Sequence, residues 1–330
     1  MSSWQANKRR LSRMINLWNP SYEGLYLTFL ISYLLGVVHG ITPDEHTWPI
    51  TFSYSVGSYS VKGGAKAGLI FSSGFTVQRA LLSELAAFAL AGFLLYPIFN
   101  GIIYVVVGLV MALSGLYISR RLKYPHFHLF EHGLYRIFKV HKHDSEKEEK
   151  EDQHIANPVL VESDGGYKPI PMKLAFVHGL IAGFGFGAFA LIIYFVLAPA
   201  MPIYFGFMPG LLFGLGTMTM QVLSGTLFGV WLTKVKKLTL NGIMILARGI
   251  SSYVLTYGGL AFVVAGIAAI IFPEIMNYGF STGIQVHNLD VIGIPFFLVV
   301  FSVIMIGYIG YKVNLKKVIE LGDTTDIQSN

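Results

Sequence analysis

The chain has no cysteine, and only 13% of its 330 residues are charged. Without thiols it can hold no disulfide framework, thiolate metal site, iron–sulfur cluster or thiol–disulfide relay. The charged share is about half that of a soluble globular chain, which excludes an ordinary cytosolic domain. There is no GxxxxGK[ST] stretch with which to hydrolyse ATP, and no HExxH pair with which to build a zinc hydrolase. Hydrophobic residues stand in their place, at 54% of the chain with a mean hydropathy of +0.59. That balance excludes disordered, fibrous and nucleic-acid-binding classes and predicts an all-α polytopic membrane protein. The formal net charge of +6 is then a topology signal rather than a nucleic-acid footprint.

Seven stretches are long and apolar enough to cross roughly 30 Å of hydrocarbon as helices. They are 25–41, 67–96, 99–119, 174–198, 204–232, 242–272 and 291–311. The segment from Thr47 to Val61 carries no charge but is too short, and too rich in Ser, Tyr and Pro, for a span; it reads as re-entrant or interfacial. Residues 1–24 carry Lys8, Arg9, Arg10, Arg13 and Trp18 and, with Pro20, read as an interfacial lead-in rather than a cleaved peptide. With seven crossings, an outside N-terminus puts eighteen of the 24 Lys and Arg residues on the cytoplasmic side and leaves the four N-terminal ones outside. The basic bias therefore predicts a multi-pass cell-membrane protein with its N-terminus out and its C-terminus in, against the pull of those four.

The chain also resembles itself. Val38-His39-Gly40 recurs as Val177-His178-Gly179, Thr76-Val77-Gln78 as Thr219-Met220-Gln221, and Asn100-Gly101-Ile102 as Asn241-Gly242-Ile243, at offsets of 139, 143 and 141. Three matches in the same order predict two three-helix repeats, 25–119 and 174–272, and a unit with an odd number of crossings must be inverted in its second copy. The remaining helix, within 273–330, lies outside the repeat. The polar connector 120–173 holds six of the ten histidines (His126, His128, His132, His141, His143, His154) and a run of acidic and basic residues from Asp144 to Asp152. It reads as a solvated cytoplasmic loop or as a metal-buffering segment, since imidazole suits nickel, cobalt, copper and zinc.

The densest chemistry lies at the end of the first stretch, where His39, Asp44, Glu45 and His46 put two imidazoles and two carboxylates into eight residues. On an unbroken helix His39 and His46 would be about 10 Å apart along the axis, too far for one ion. Pro43 clashes with the carbonyl of His39 and removes an N–H, so the helix should kink or end there and let Asp44 and His46 fold back. Neutral imidazole in such a set favours a transition metal over an alkali ion, whereas the bland reading is a helix-end cap with interfacial histidines. His178 is the repeat partner of His39 and reads as a ligand or as a hydrogen-bonded packing residue. Arg79, Glu84 and Arg248 are charges at membrane depth, read as a structural ion pair or arginine–carbonyl clamp, or as a gate; Gln78 and Gln221 are neutral candidates at equivalent places.

The stretch His39-Gly-Ile-Thr-Pro-Asp44-Glu-His46 resembles the H-x4-D-H signature of the NiCoT nickel/cobalt permeases and the related NicO efflux proteins, with Glu45 inserted. Ser73-Gly74-Phe75-Thr76-Val77 is loosely similar to that family's glycine-histidine-serine stretch, with Phe75 where the family has histidine, and Thr217-Met218-Thr219 replaces its Asp-Thr stretch. The resemblance implies that His39, Asp44 and His46 bind Ni2+ or Co2+ as cargo. Together these features predict a secondary transporter, not an enzyme, with a divalent metal ion and membrane lipid as its partners and no prosthetic group. Two alternatives stand beside it: a carrier of the same architecture for a non-metal solute, with His39 and Asp44 as a proton relay, and a membrane-embedded metal-dependent hydrolase.

Overall fold

The computed structural model describes residues 16–42, 46–90, 92, 96–120, 172–185, 187–234, 238–287 and 289–323. The connector histidines, Asp44, Glu45 and the four N-terminal basic residues lie outside that set. The chain is mostly helical. In order come α1 (Leu25–Ile41), α2 (Trp48–Gly57), α3 (Val61–Ala87), α4 (Pro97–Arg120), α5 (Met172–Ala182), α6 (Ala188–Ile192), α7 (Met208–Lys234), α8 (Leu240–Tyr253), α9 (Gly259–Ile271), α10 (Ile294–Val299) and α11 (Gly307–Glu320). Short π-helical turns extend α6 over Ile193–Leu197, join α8 to α9 over Val254–Gly258 and join α10 to α11 over Val300–Ile306. The sheet has two strands: β1 (Gly279–Ser281) pairs antiparallel with β2 (Val291–Gly293), Phe280 opposite Ile292.

Among the described residues, four helical segments are long and apolar enough to cross a membrane: 98–119, 203–232, 241–271 and 294–320. The other expected spans depart from the sequence pattern in instructive ways. α3 begins at Val61, six residues before the apolar run, because Ser60 caps it by accepting the Gly63 N–H at 2.9 Å. It stops at Ala87, where Ala89 turns left-handed at φ 59°, although the apolar run continues to residue 96. α1 spans only 17 residues, about 26 Å, and ends where Thr42, forced extended by the proline that follows it, adopts φ −69° and ψ 139°. The expected single helix over 174–198 is two pieces. Three glycines in the five residues from Gly183 to Gly187 make helix costly there, by about 1 kcal/mol each relative to alanine, and Gly187 is extended at ψ −171°.

The Thr47–Val61 segment, expected to be re-entrant or interfacial, holds a short helix, too short to span a membrane. It contains α2, with Pro49 in its first turn and every residue from Pro49 to Gly57 buried. Its polar face is tolerable at this depth because protein surrounds it and its serines bond back to its own backbone, Ser53 Oγ donating to Pro49 O at 2.8 Å and Ser58 Oγ to Ser55 O at 2.7 Å.

Small residues set how the long helices meet. α3 and α7 run antiparallel with backbones nearly touching: Gly64 faces Gly225, Gly68 faces the Gln221 carbonyl, Gly214 faces Thr76 and Gly210 faces the Arg79 carbonyl. Ser83 Oγ closes one end of the seam by donating to Gly206 O at 2.7 Å and accepting the Gly210 N–H at 3.1 Å. α1 lies parallel to α7 through Gly36, which abuts the Phe213 backbone, and α5 lies parallel to α3 through Gly179, which abuts the Phe71 backbone. A second antiparallel seam joins α4 to α8 and α9, with Gly101 against Gly266, Gly108 against Gly259, and Ser252 Oγ donating to Gly115 O at 3.0 Å. Outward rows such as Leu109 and Leu113, or Leu223 and Leu227, are exposed and suit acyl chains.

A Cβ on Gly108 would sit 2.6 Å from the Gly259 carbonyl oxygen and 2.7 Å from the Val263 nitrogen. Gly108→Leu should therefore prise the seam open and lower stability by about 1–3 kcal/mol or more, read as a fall in melting temperature in detergent. Gly92→Ala, which meets nothing within 4 Å, should leave it unchanged.

A candidate solute site at two helix breaks

Two interruptions face the α3–α7 pair. α1 ends at Ile41 and α2 resumes at Trp48; α5 ends at Ala182 and α6 resumes at Ala188. Each continuation runs ten residues, 48–57 and 188–197, and each has a tyrosine at its seventh position, Tyr54 and Tyr194. Both tyrosines are buried, and each hydroxyl reaches across to the other half of the chain.

The break between α5 and α6 is pinned from α3. Arg79 Nη2 donates to the Gly185 carbonyl at 2.6 Å, and Nη1 donates to the Tyr194 hydroxyl at 3.0 Å. The carbonyl is one that the interrupted helix leaves without its own donor, so a guanidinium satisfies it as a cap would. The guanidinium carbon lies 4.5 Å from the Phe75 ring centroid, 5.5 Å from Phe213 and 5.8 Å from Tyr194, a cation–π enclosure for a group that is 2% exposed. Gln78, the preceding residue, packs against Gly183, and the His46 ring packs against Gly185; a side chain at either glycine would collide with them. His46 also meets the Tyr104 ring edge-on at 5.0 Å.

His39 and His178 occupy different surroundings. His39 sits among three rings, Phe213 at 5.1 Å, Phe75 at 5.9 Å and Phe189 at 6.0 Å, and so shares Phe75 and Phe213 with Arg79. His178 Nδ1 is 2.5 Å from the Tyr54 hydroxyl, a buried hydrogen bond between α5 and α2. This bond uses Nδ1 and leaves Nε2 without a hydrogen-bond partner among the described residues.

Of the predicted site residues, the fold brings His46, Gln78 and Arg79 to one break and leaves His39 and His178 in neighbouring but separate contacts. Arg79 takes the arginine–carbonyl alternative: its described hydrogen bonds go to Gly185 and Tyr194, and none goes to Glu84, which is half-buried near Gly206. Arg248 is half-buried on α8. Gln78 and Gln221 are both buried, and neither amide has a hydrogen-bond partner on its nitrogen or its oxygen among the described residues. Among the described residues no three His, Asp or Glu side chains converge to hold a metal ion. Asp44 and Glu45 are outside them.

The sequence reading missed Tyr54 and Tyr194, although Tyr54-x-Val56 and Tyr194-x-Val196 recur within the same repeat spacing. It also missed His287. That residue's Nε2 lies 2.8 Å from the Trp18 carbonyl, and its ring stacks on Trp18 at 4.1 Å and meets Phe189 edge-on at 5.3 Å. These contacts border a cavity of about 260 Å³ between Trp18, Ala188, Leu191, Ile192 and His287. Rings thus run in contact from the Trp18 end of the molecule through Phe189 to His39.

No family model matches the chain, and no curated protein or solved structure is significantly similar to it. Its fold defines an α-helical membrane protein with interrupted helices, and its site must be read on its own chemistry.

Removing the Tyr54 hydroxyl strands a buried ring nitrogen. A double-mutant cycle of Tyr54→Phe and His178→Leu, followed by thermal unfolding in detergent, should give a coupling energy of about 1 kcal/mol, within the range of interhelical hydrogen bonds in membranes.

Proposed function

We propose that the chain is a secondary transporter built from two inverted three-helix units, 25–119 and 174–272, with the last helix added, and that a small polar solute crosses between the two broken helices. The observation that carries this reading is the pair of interruptions, 42–47 and 183–187, each followed by a ten-residue continuation and each beside the antiparallel α3–α7 pair. Carriers bind solute where discontinuous helices meet at a repeat interface near the midplane. The exchange of partners, α1 on α7 and α5 on α3, supports the inverted arrangement. So does the antiparallel seam between α4 and α8–α9.

Hydrogen-bonding groups dominate the described site. Buried amides left without partners are costly, and Gln78 and Gln221 supply four such atoms that a solute or water would satisfy. A permanently charged guanidinium beside the break repels a divalent cation, so a non-metal solute is the first reading. Nickel or cobalt cargo is the second, carried by His46 standing at the break with Asp44 and Glu45 immediately before it in sequence. In either case seven crossings would place the N-terminus outside and the C-terminus in the cytoplasm.

The natural absence of cysteine makes the test direct. Single cysteines at Ser21 and Ser281 should react with a membrane-impermeant maleimide from outside intact cells, and those at Lys234 and Lys316 only after permeabilisation. Gln78→Cys and Gln221→Cys should be slowly modified by a small methanethiosulfonate. Complete inertness of both would sink the carrier reading. Calorimetry with Ni2+ and Co2+ on protein whose six connector histidines are replaced by asparagine separates the cargoes: tight binding abolished by His46→Ala would promote the metal reading over the first.

A further inference from the structure

We infer that the break between α5 and α6 is a binding site for a small oxyanion, a carboxylate or an inorganic oxyanion, held by the Arg79 fork and the Gln78 amide. The inference rests on the break being the solute site and names the solute's charge. A guanidinium offers five N–H donors in one plane. The described bonds of Arg79 use one N–H on Nη1 and one on Nη2, and Nε has no partner among the described residues. Three N–H donors, the one on Nε among them, are therefore left for an oxyanion.

Charge makes the same point. Arg79 cannot shed its proton, and burying a cation costs several kcal/mol unless a counter-charge is present. Rings at Phe75, Phe213 and Tyr194 and one carbonyl offset part of that cost, but no described carboxylate touches the guanidinium. The preceding residue on α3, Gln78, is 2% exposed, and its amide packs on Gly183 with nitrogen and oxygen both unpartnered among the described residues. Its N–H2 is the donor that would complete the grip on an anion lying against the Gly183–Gly185 backbone. A Cβ on Gly183 would run into the Gln78 amide and one on Gly185 into the His46 ring, so the two glycines are what lets these polar side chains lie against that backbone.

The experiment uses the full chain purified in detergent, with sodium acetate and sodium sulfate as probes against sodium chloride at matched ionic strength. Saturable stabilisation against thermal unfolding, confirmed by calorimetry, is expected for at least one oxyanion. Arg79→Lys keeps the charge but loses the planar fork, and should weaken binding by at least about tenfold. Gln78→Glu should fold, since it places a carboxylate beside the fork, and should raise the melting temperature while abolishing the response to either probe. Absence of a saturable response in the wild type, or an undiminished response in both variants, overturns the inference. Wild-type silence that becomes binding in Asp44→Asn also overturns it, because the fork would then be filled by the chain's own carboxylate. Anion binding with inert cysteines at Gln78 and Gln221 would uphold the site while removing the carrier reading, so the two fail separately.

Discussion

The antiparallel contact between α3 and α7 is the constraint from which the remaining geometry follows. Glycines at 64, 68, 210, 214 and 225 let the two backbones meet, and a single larger residue at any of them would meet a carbonyl or a main-chain carbon. Lipid tails are as apolar as leucine, so helices in a membrane gain little from hiding hydrophobic surface and depend on close van der Waals contact. Here that contact brings α1 against one member of the pair and α5 against the other, again through glycine. The consequence is chemical: the ends of α1 and α5 lie beside the same central pair, Gly40 against Met220 and Gly183 against Gln78.

A broken helix at membrane depth exposes carbonyls and N–H groups that hydrocarbon cannot satisfy. The chain meets this demand with side chains from the opposite half. Arg79 satisfies Gly185, Tyr194 shares the guanidinium, and Tyr54 bonds His178. Each of these bonds crosses between residues 25–119 and residues 174–272, so the two halves are held together by the same groups that make the breaks possible. The amides of Gln78 and Gln221 and the Arg79 Nε remain outside that balance. Buried polar atoms without partners are rare in folded proteins, and among the described residues those of Gln78 and Arg79 lie beside the Gly183–Gly185 break, with Gln221 further along α7 opposite Gly68.

Three residues chosen in the sequence for their charge or repeat position, His46, Gln78 and Arg79, lie together at one break. Pro43 foretold the end of α1 through the restriction it places on Thr42. The glycines at 183, 185 and 187 fall inside the single span expected over 174–198, because hydropathy does not distinguish a glycine that admits a neighbour from one that ends a helix. The segment holding α2 was set apart from the spans because its serines and tyrosines lower hydropathy, and what the sequence did not show is that protein packs around the whole of it. His39, the most conspicuous metal candidate, is enclosed by Phe75, Phe189 and Phe213, residues remote in sequence that no local motif would connect to it.

By itself the sequence determined that this is a helical membrane protein, that its polar residues concentrate at the end of the first helix and on the third, and that its halves share an order of signals. Those properties depend on local composition and period, which a linear reading sees directly. Only the tertiary structure decided which of the candidates are neighbours, that Arg79 caps a carbonyl 106 residues away, and that His178 is paired with a tyrosine. Such pairings depend on where glycine allows two backbones to approach, and that is a property of facing surfaces, which neither strand of sequence contains alone.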